Sequence, residues 1–414
     1  MAGYGAVAMP PADRSLSRKA AIVGIGETDY SDDYQAERQR PDGWTPPSEE
    51  SLLTTAFERA LADSGLSRGD IDGLTTSFTY GGPPPAEVAQ MLGISPRYCA
   101  SNGNIMAGPL PAACAAIASG NADTIAMVFA VAARSAGRLF GGMTHNGGPA
   151  NTGGGNGTPS SYYYHHPWGW SSQAAHWAMI FSHYQWKYGM GEKDLAAVAM
   201  QVRRHAMAQP QAVMRQELTL ESYLASRYIV RPLHLFDICI VNDGAVCLIV
   251  RRADWSRDLA QTPIDIAGWG WSKVTQDKLD MMVRQQLRPQ MQDAGGQALA
   301  MAGLDLDAVQ HFEAYDASSM HLVNQVEGYG FTPPGTGLGF CADGQMTTGG
   351  RIPTNTAGGN LSHSYMQGWS QVAEVVRQLR GQAGAYQVAD AAVSMSSLAQ
   401  TDQAHPIVYM RGDL

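Results

Sequence analysis

Ala20-Ala21-Ile22-Val23-Gly24-Ile25-Gly26 and Pro263-Ile264-Asp265-Ile266-Ala267-Gly268-Trp269-Gly270 share one plan, an apolar run that closes on glycines. Each reads as a buried strand ending in a glycine turn. The likeness extends beyond the strand. Ser51 to Leu61 has helical spacing and stops at Ser64-Gly65, a good C-terminal cap. Ala60-Leu61-Ala62-Asp63-Ser64-Gly65-Leu66 is echoed by Ala298-Leu299-Ala300-Met301-Ala302-Gly303-Leu304, and Ile71 is answered by Val309. A second echo pairs Ser119-Gly120-Asn121-Ala122-Asp123, before the strand Thr124–Val128, with Leu379-Arg380-Gly381, before a strand expected near Val388–Val393. Two copies of one β-α-β-type unit predict an α/β fold of two pseudo-twofold halves with buried sheets. The expected layout is a loose tail over 1–17, a first half over 18–255 and a second over 256–414.

The composition suits such a chain. At 414 residues, with 44% hydrophobic and only 16% charged, it can bury a large core. A formal charge of −9 argues against a nucleic-acid surface. Cys99, Cys114, Cys239, Cys247 and Cys341 form no CxxC pair and no zinc spacing, so no metal is expected. Cys239 and Cys247 lie in runs that read as buried strands, Ile238–Val241 and Val246–Val250, as core cysteines of a reducing compartment would. No basic n-region precedes an apolar run, and no window has the length of a membrane span, so a cytoplasmic enzyme is expected.

Between the copies lies an insertion, roughly 131–235. Its glycine- and asparagine-rich part, Gly141 to Gly157, lacks the Lys-Ser/Thr of a phosphate cradle. An aromatic block follows: Tyr162, Tyr163, Tyr164, His165, His166, Trp168, Trp170, His176, Trp177, Phe181, Tyr184, Trp186 and Tyr188. From about Gln173 to Tyr188 the spacing is helical. Two readings stand, a helix packed at a subunit interface and a wall for a bulky apolar ligand.

Near the C-terminus runs Asn355-Thr356-Ala357-Gly358-Gly359-Asn360-Leu361-Ser362-His363-Ser364-Tyr365-Met366-Gln367-Gly368. Its residue types match a thiolase signature whose centre normally reads Gly-His-Pro. With Ala21–Thr28, Arg231–Asp237, Asn242-Asp243-Gly244-Ala245 and Glu313-Ala314-Tyr315-Asp316, it makes nearly the whole chain from about residue 20 resemble the thiolase superfamily, in its sterol-carrier and lipid-transfer branch. The resemblance implies a thiolase fold, a five-layered α-β-α-β-α sandwich of two similar halves with a long loop insertion, usually a homodimer.

The departures from that family decide the chemistry. The thiolase nucleophile opens a Cys-x-x-Gly motif, and aligned through Asn102-Gly103-Asn104 and Gly108 that position is Ile105. A thiolate nucleophile needs an activated sulfur, and isoleucine has none. The region of the second thiolase cysteine reads Ser394-Met395-Ser396-Ser397, and no cysteine follows Cys341. Cys99 and Cys114 have the wrong spacing from Gly108 to substitute. Tyr365 instead takes the place of the catalytic histidine, and Tyr315 stands where lipid-transfer thiolases often carry the histidine of His-Asp. This combination resembles the aldolases of bacterial steroid side-chain degradation, which use a tyrosine from each motif. They cleave a 3-hydroxyacyl-CoA by retro-aldol reaction to a keto steroid and a short acyl-CoA such as propionyl-CoA, with a small OB-fold partner of the DUF35 class. By that resemblance the substrate is a steroid (cholesterol, sterol or bile-acid) side-chain acyl-CoA. CoA belongs to the substrate, so no separate cofactor is expected.

Retro-aldol cleavage needs a base for the hydroxyl proton, a site for the thioester enolate and an acid for the released carbon. It needs no nucleophile, which accommodates Ile105. A free tyrosine has a pKa near ~10, so Tyr365 and Tyr315 require tuning to share the acid and base roles. Strand alternation would turn Asp316 away from Tyr315, leaving His363 and Ser364 as candidates to tune Tyr365. Asn355, Gly358 and Gly359 either bring backbone N–H groups to the thioester oxygen or simply form a turn. Asp243-Gly244-Ala245 reads as a tight entry to a strand. Arg203, Arg204 and Arg215, on a helical stretch of the insertion, are cations of a type suited to a CoA diphosphate, but each by itself reads first as a solvated surface charge. Against the aldolase stands a non-catalytic thiolase-fold scaffold or lipid carrier that binds acyl-CoA and supports a partner. Two ionisable tyrosines at the catalytic motifs would then be coincidental. A thiolase using Cys99 or Cys114 would require a shifted helix.

Overall fold

The computed structural model describes residues 13–79, 81–101, 106, 108–137, 172–273, 288–399 and 403–414. In chain order the first half runs β1 (Ala20–Glu27), α1 (Tyr30–Gln39), α2 (Glu49–Ser64), β2 (Gly73–Phe78), α3 (Pro85–Leu92), β3 (Tyr98–Ser101), α4 (Pro109–Ala118) and β4 (Thr124–Val131). The insertion contributes α5 (Gln173–Tyr188), α6 (Glu192–Ala208), α7 (Leu220–Ala225) and the small hairpin β5 (Tyr228–Val230) with β6 (Leu233–His234). Then come β7 (Gly244–Arg252), β8 (Ile264–Trp269), β9 (Ser272–Lys273), α8 (Arg288–Ala302), β10 (His311–Ala314), α9 (Ser319–Tyr329), α10 (Gly337–Ala342), α11 (Trp369–Arg380), β11 (Val393–Ala399) and β12 (Gln403–Arg411).

The strands join in the order β3-β2-β4-β7-β1-β8-β12-β11-β10, with β9 on β12. The seam is the short antiparallel pairing of Ala21 with Asp265 and Ile22 with Ile264. Read outward from it, each half repeats the same directions. β1/β7 and β7/β4 are antiparallel and β4/β2 parallel, as β8/β12 and β12/β11 are antiparallel and β11/β10 parallel. Even β3, parallel to β2, has a counterpart in the single parallel bridge between Phe312 and Thr354.

Side-chain alternation distributes the sheet's two faces among three layers of helix. On β4, Ile125, Met127, Phe129 and Val131 face a central cluster containing Leu110 and Ile117 of α4 and Trp369, Val372 and Val376 of α11. Ile266, Ile407 and Tyr409 of the second half face the same cluster. Ala126, Val128 and Ala130 face outward onto Leu53 and Phe57 of α2 and Val88 of α3. Ala267, Met395 and Val408 meet Met291 and Ala298 of α8 and Met320 of α9 on the far side. The order is therefore α-β-α-β-α, as expected.

The repeated glycines explain the strand–helix fit. A Cβ on Gly24 or Gly26 would collide with the carbonyl oxygens of Ala60 and Ala56 on α2. On Gly268 and Gly270 it would meet those of Ala298 and Ala294 on α8. The bare α-carbons let each outer helix lie directly on its strand.

Several local readings are corrected. Ile238–Val241 is not a strand, because its N–H groups go to scattered acceptors: Cys239 donates to Ala317 O and Ile240 to Asn360 O. The strand expected near Val388 begins only at Val393, after a turn over Gly384–Tyr386 whose glycine sits at φ +64°. Of the segment 1–17, residues 13–17 are held against the second half, with Ser17 Oγ donating to Ala267 O at 2.7 Å and Arg14 Nε to Ala300 O at 3.0 Å. Gly141–Gly157 and the aromatic residues 162–170 lie outside the described residues. The helix expected from Gln173 is α5, which buries Trp177, Ile180, Phe181 and Tyr184 in the second half's outer core. No helix among the described residues is long and apolar enough to cross a membrane.

Because the two glycine contacts are equivalent, Gly26→Ala and Gly270→Ala should each destabilise the protein by ~1–3 kcal/mol or more through overpacking. Thermal unfolding should show similar falls in Tm for both. A wild-type Tm in either variant would count against the shared strand–helix contact.

Candidate active site

Strand β10 ends at Ala314, and the side chain of Asn355 holds that end. Its Oδ1 accepts the Ala314 N–H at 2.8 Å and its Nδ2 donates to Ala314 O at 2.9 Å. From there the chain follows a strained course, with φ positive at Asn355 (49°), Gly358 (104°), Gly359 (54°), Gln367 (54°) and Gly368 (90°). A short π-helical turn spans Gly359–His363, an irregularity common at functional sites. Its exit carries Tyr365, whose N–H donates to Asn242 Oδ1 at 2.7 Å. Tyr315, one residue past β10, is fixed by its N–H to Ser397 O at 2.8 Å and its carbonyl to Gln325 Nε2 at 2.8 Å.

The two phenols meet there. Tyr315 Oη and Tyr365 Oη are 2.7 Å apart, both side chains are buried, and the rings lie 6.2 Å between centroids. Ala317, Leu398, Ile240 and the half-buried Cys239 enclose them. Burial drives the Tyr315 phenol well above its ordinary range, and the Cys239 and Asp316 charges add to this, while the hydrogen bond to Tyr365 opposes it. Tyr315 lines a small pocket of about 20 Å³ together with Met106, Glu313, Gln367, Gln371 and Ser397. Glu313 Oε1 accepts the Thr356 N–H at 2.8 Å, and burial raises its carboxyl.

Asp316 lies beyond the strand end, so alternation does not govern it. Its Oδ1 accepts the Asn360 N–H at 2.7 Å, and burial raises the carboxyl to about 8. Gly359 abuts both Asp316 and Asn355, where a Cβ would clash. Gly358 is where α6 lies against the loop, a Cβ there meeting Ala206, and its N–H donates to Asn355 O at 2.9 Å. Asn355 and Gly358 thus build the turn, and the Gly358 N–H is already engaged. His363 is buried edge-on to Tyr30 at 5.5 Å, its pKa lowered to about 4 by burial and its Nε2 without a partner. Ile105 lies outside the described residues. Cys99 is exposed on β3, Cys114 is buried in α4, and burial raises both thiols above the ordinary range. Arg203 is not available to a diphosphate: it is buried, with Nε donating to Ser362 Oγ at 3.0 Å and Nη1 to Gln216 O at 3.2 Å. Arg204 and Arg215 are exposed. Asp243 accepts the N–H of Arg134 at 2.8 Å at the entry to β7, as a structural residue would.

Two residues beside the tyrosines, Asn242 and Gln367, escape a reading of the motifs. Asn242 orients Tyr365 through the backbone, and its position beside Asp243 was the available signal. Gln367 enters the pocket with no charge to mark it. His321 packs edge-on to Tyr315 at 5.7 Å and stacks on Trp177 of α5 at 3.9 Å, linking the insertion to the site. Its Nδ1 accepts the Ala317 N–H at 3.3 Å, so Nε2 carries the proton and donates to Ala399 O. Burial lowers its pKa to about 3, so it remains neutral.

Comparison with known proteins agrees with this fold. Residues 272–404 match the family model described as thiolase C-terminal domain-like. The chain is 36% identical over 381 residues to the 17-hydroxy-3-oxo-4-pregnene-20-carboxyl-CoA lyase of Mycobacterium tuberculosis, covering 88% of this chain and 92% of that protein. It is 33% identical over 376 residues to the steroid side-chain-cleaving aldolase of Thermomonospora curvata, covering 88% and 91%. The solved structure described as the Ltp2-ChsH2(DUF35) aldolase superposes with a TM-score of 0.82 at 29% identity, covering 97% of this chain and all of that one. With a thiolase frame that carries two apposed tyrosines, and relatives of this kind along its length, the chain belongs to the thiolase-fold family that contains the steroid side-chain-cleaving aldolases.

Proposed function

We propose that this chain is an aldolase that cleaves a steroid side-chain 3-hydroxyacyl-CoA, giving a keto steroid and a short acyl-CoA such as propionyl-CoA. The observation that carries the reading is the 2.7 Å contact between the buried Tyr315 Oη and Tyr365 Oη, beside the pocket that Tyr315 lines. The names of the M. tuberculosis and T. curvata relatives support the reaction and the steroid thioester class. The proton on the substrate hydroxyl passes to the phenol pair as the O–H electrons form the new ketone. The bond between the α- and β-carbons breaks, and its electron pair becomes the thioester enolate. In the same relay the pair gives up one of its own protons to the α-carbon, so it never carries an extra proton, the enzyme ends as it began and no second substrate is consumed. Direct contact lets one proton move between the two oxygens, so either phenol can take either part. Because burial disfavours a free Tyr315 phenolate, deprotonation of the hydroxyl is coupled to this short hydrogen bond.

The assembly we propose is a homodimer with a small OB-fold partner of the DUF35 class, acting in the cytoplasm. The partner is supported by the description of the Ltp2-ChsH2(DUF35) aldolase. The homodimer is supported by β3, which ends the described sheet and leaves one backbone edge open to a second chain.

With a steroid 3-hydroxyacyl-CoA and no free CoA, the chain should release a ketone and a short acyl-CoA, alone or with a co-encoded OB-fold partner. Thiolysis would require added CoA, and binding without turnover in both preparations would leave only a carrier. Tyr315→Phe and Tyr365→Phe should each lower kcat on the order of 10²–10⁴-fold, read by ketone formation. Near-wild-type turnover in both would remove the tyrosine mechanism.

A further inference from the structure

Among the described residues that line the pocket beside the tyrosines, Gln367 has a buried side-chain donor whose bonding is unfinished. Among the other lining side chains, Glu313 is held by Thr356, and Gln371 Nε2 donates to Asp316 Oδ1 at 3.3 Å. Ser396 Oγ pairs with Tyr409 Oη at 2.9 Å, and Ser397 Oγ pairs with Tyr329 Oη. The Nε2 of Gln367 has no acceptor, although the residue is only 1% exposed. A buried donor left unpaired costs ~1–3 kcal/mol, so the position is unfavourable for glutamine unless something that enters the pocket completes it.

The backbone gives a second and independent sign. Gln367 sits at φ +54°, where glycine would be unstrained, immediately before Gly368 at φ +90°. Side chains persist in this region where the surrounding structure or a function requires them. Here the carbonyl of Gln367 accepts the Met106 N–H at 3.3 Å, and the bare α-carbon of Gly368 faces the Tyr315 ring, a Cβ there coming within 3.9 Å of Cδ2. The left-handed turn thus sets Gln367 two residues beyond Tyr365 and in the wall of the pocket that Tyr315 also lines.

Retro-aldol cleavage moves negative charge onto one particular atom, the thioester oxygen of the departing enolate. Neither phenol can stabilise that oxygen while handling the hydroxyl and α-carbon protons, and the Gly358 N–H is already engaged with Asn355. We propose that Gln367 is a catalytic residue whose carboxamide N–H donates to the thioester oxygen and strengthens that bond as the enolate forms. This rests on the acyl-CoA reading above. Such a donor in a water-poor pocket contributes most where charge develops, so its loss should appear in kcat rather than in KM.

The test combines kinetics with a spectroscopic readout that needs no turnover. A steroid acyl-CoA lacking the 3-hydroxyl, ¹³C-labelled at the thioester carbonyl, cannot be cleaved, and isotope-edited infrared difference spectra report its carbonyl stretch. Bound to wild-type protein, the stretch should move to lower frequency than in water-free solvent. Gln367→Met, similar in shape but without the donor, should lose that shift and lower kcat on the order of 10²-fold, with KM changed less than about 3-fold. Gln367→Asn, more at ease at positive φ but one methylene shorter, should lose the shift as well and guards against a folding defect in the first variant. Retention of both the carbonyl shift and the rate in Gln367→Met overturns the assignment. If wild-type protein binds the analogue but cleaves no hydroxyacyl-CoA, the aldolase reading fails while the carbonyl shift still decides the contact. Absence of binding by wild-type protein overturns both.

Discussion

Both backbone groups of Ala314 are taken by one side chain, Asn355, and the candidate site depends on that closure. It fixes the end of β10 to the loop that carries Tyr365, so residues 50 positions apart bring their hydroxyls to 2.7 Å. The same asparagine lies against Gly359, where no side chain would fit, and its carbonyl accepts the Gly358 N–H. The loop's left-handed residues are therefore held by packing and hydrogen bonds from several directions. That is the condition under which strained backbone persists.

A buried pair of phenols is a different instrument from a cysteine with histidine. A thiolate must be charged before it reacts, and the described thiols near this region are all pushed toward the neutral form by burial, Cys239 to about 12. A phenol pair can remain neutral at rest and move a proton only as the substrate changes. The neutral His321 packed against Tyr315 fits such a site, since it adds a fixed dipole and no charge. Among the described side chains that line the pocket, Gln367 keeps a buried donor without a partner.

The fold was legible where steric demand leaves a mark in residue type. Gly24, Gly26, Gly268 and Gly270 are glycines because a helix backbone lies on them, and that requirement is visible as a repeat before any coordinate is known. Tyr315 and Tyr365 were legible because they occupy motif positions. The rest failed for local reasons. Ile238–Val241 has strand composition, but its backbone is drawn to Ala317 and Asn360 rather than to a ladder. Arg203 looks like a surface cation until it is seen to be buried, with donors bound to Ser362 and Gln216. Asn242 and Gln367 act through neutral amides, whose significance lies in what they do or do not bond.

The pairing of Ala21 with Asp265 and Ile22 with Ile264 carries one sheet across both halves, and α11 packs on strands from each. A hinge between the halves would have to tear that sheet and open the central cluster shared by Ile125, Ile266 and Trp369. Clamshell closure, which many two-lobed enzymes use to capture a ligand, is thereby denied to this architecture. Any ligand that reaches the pocket must therefore enter with the two halves held in place.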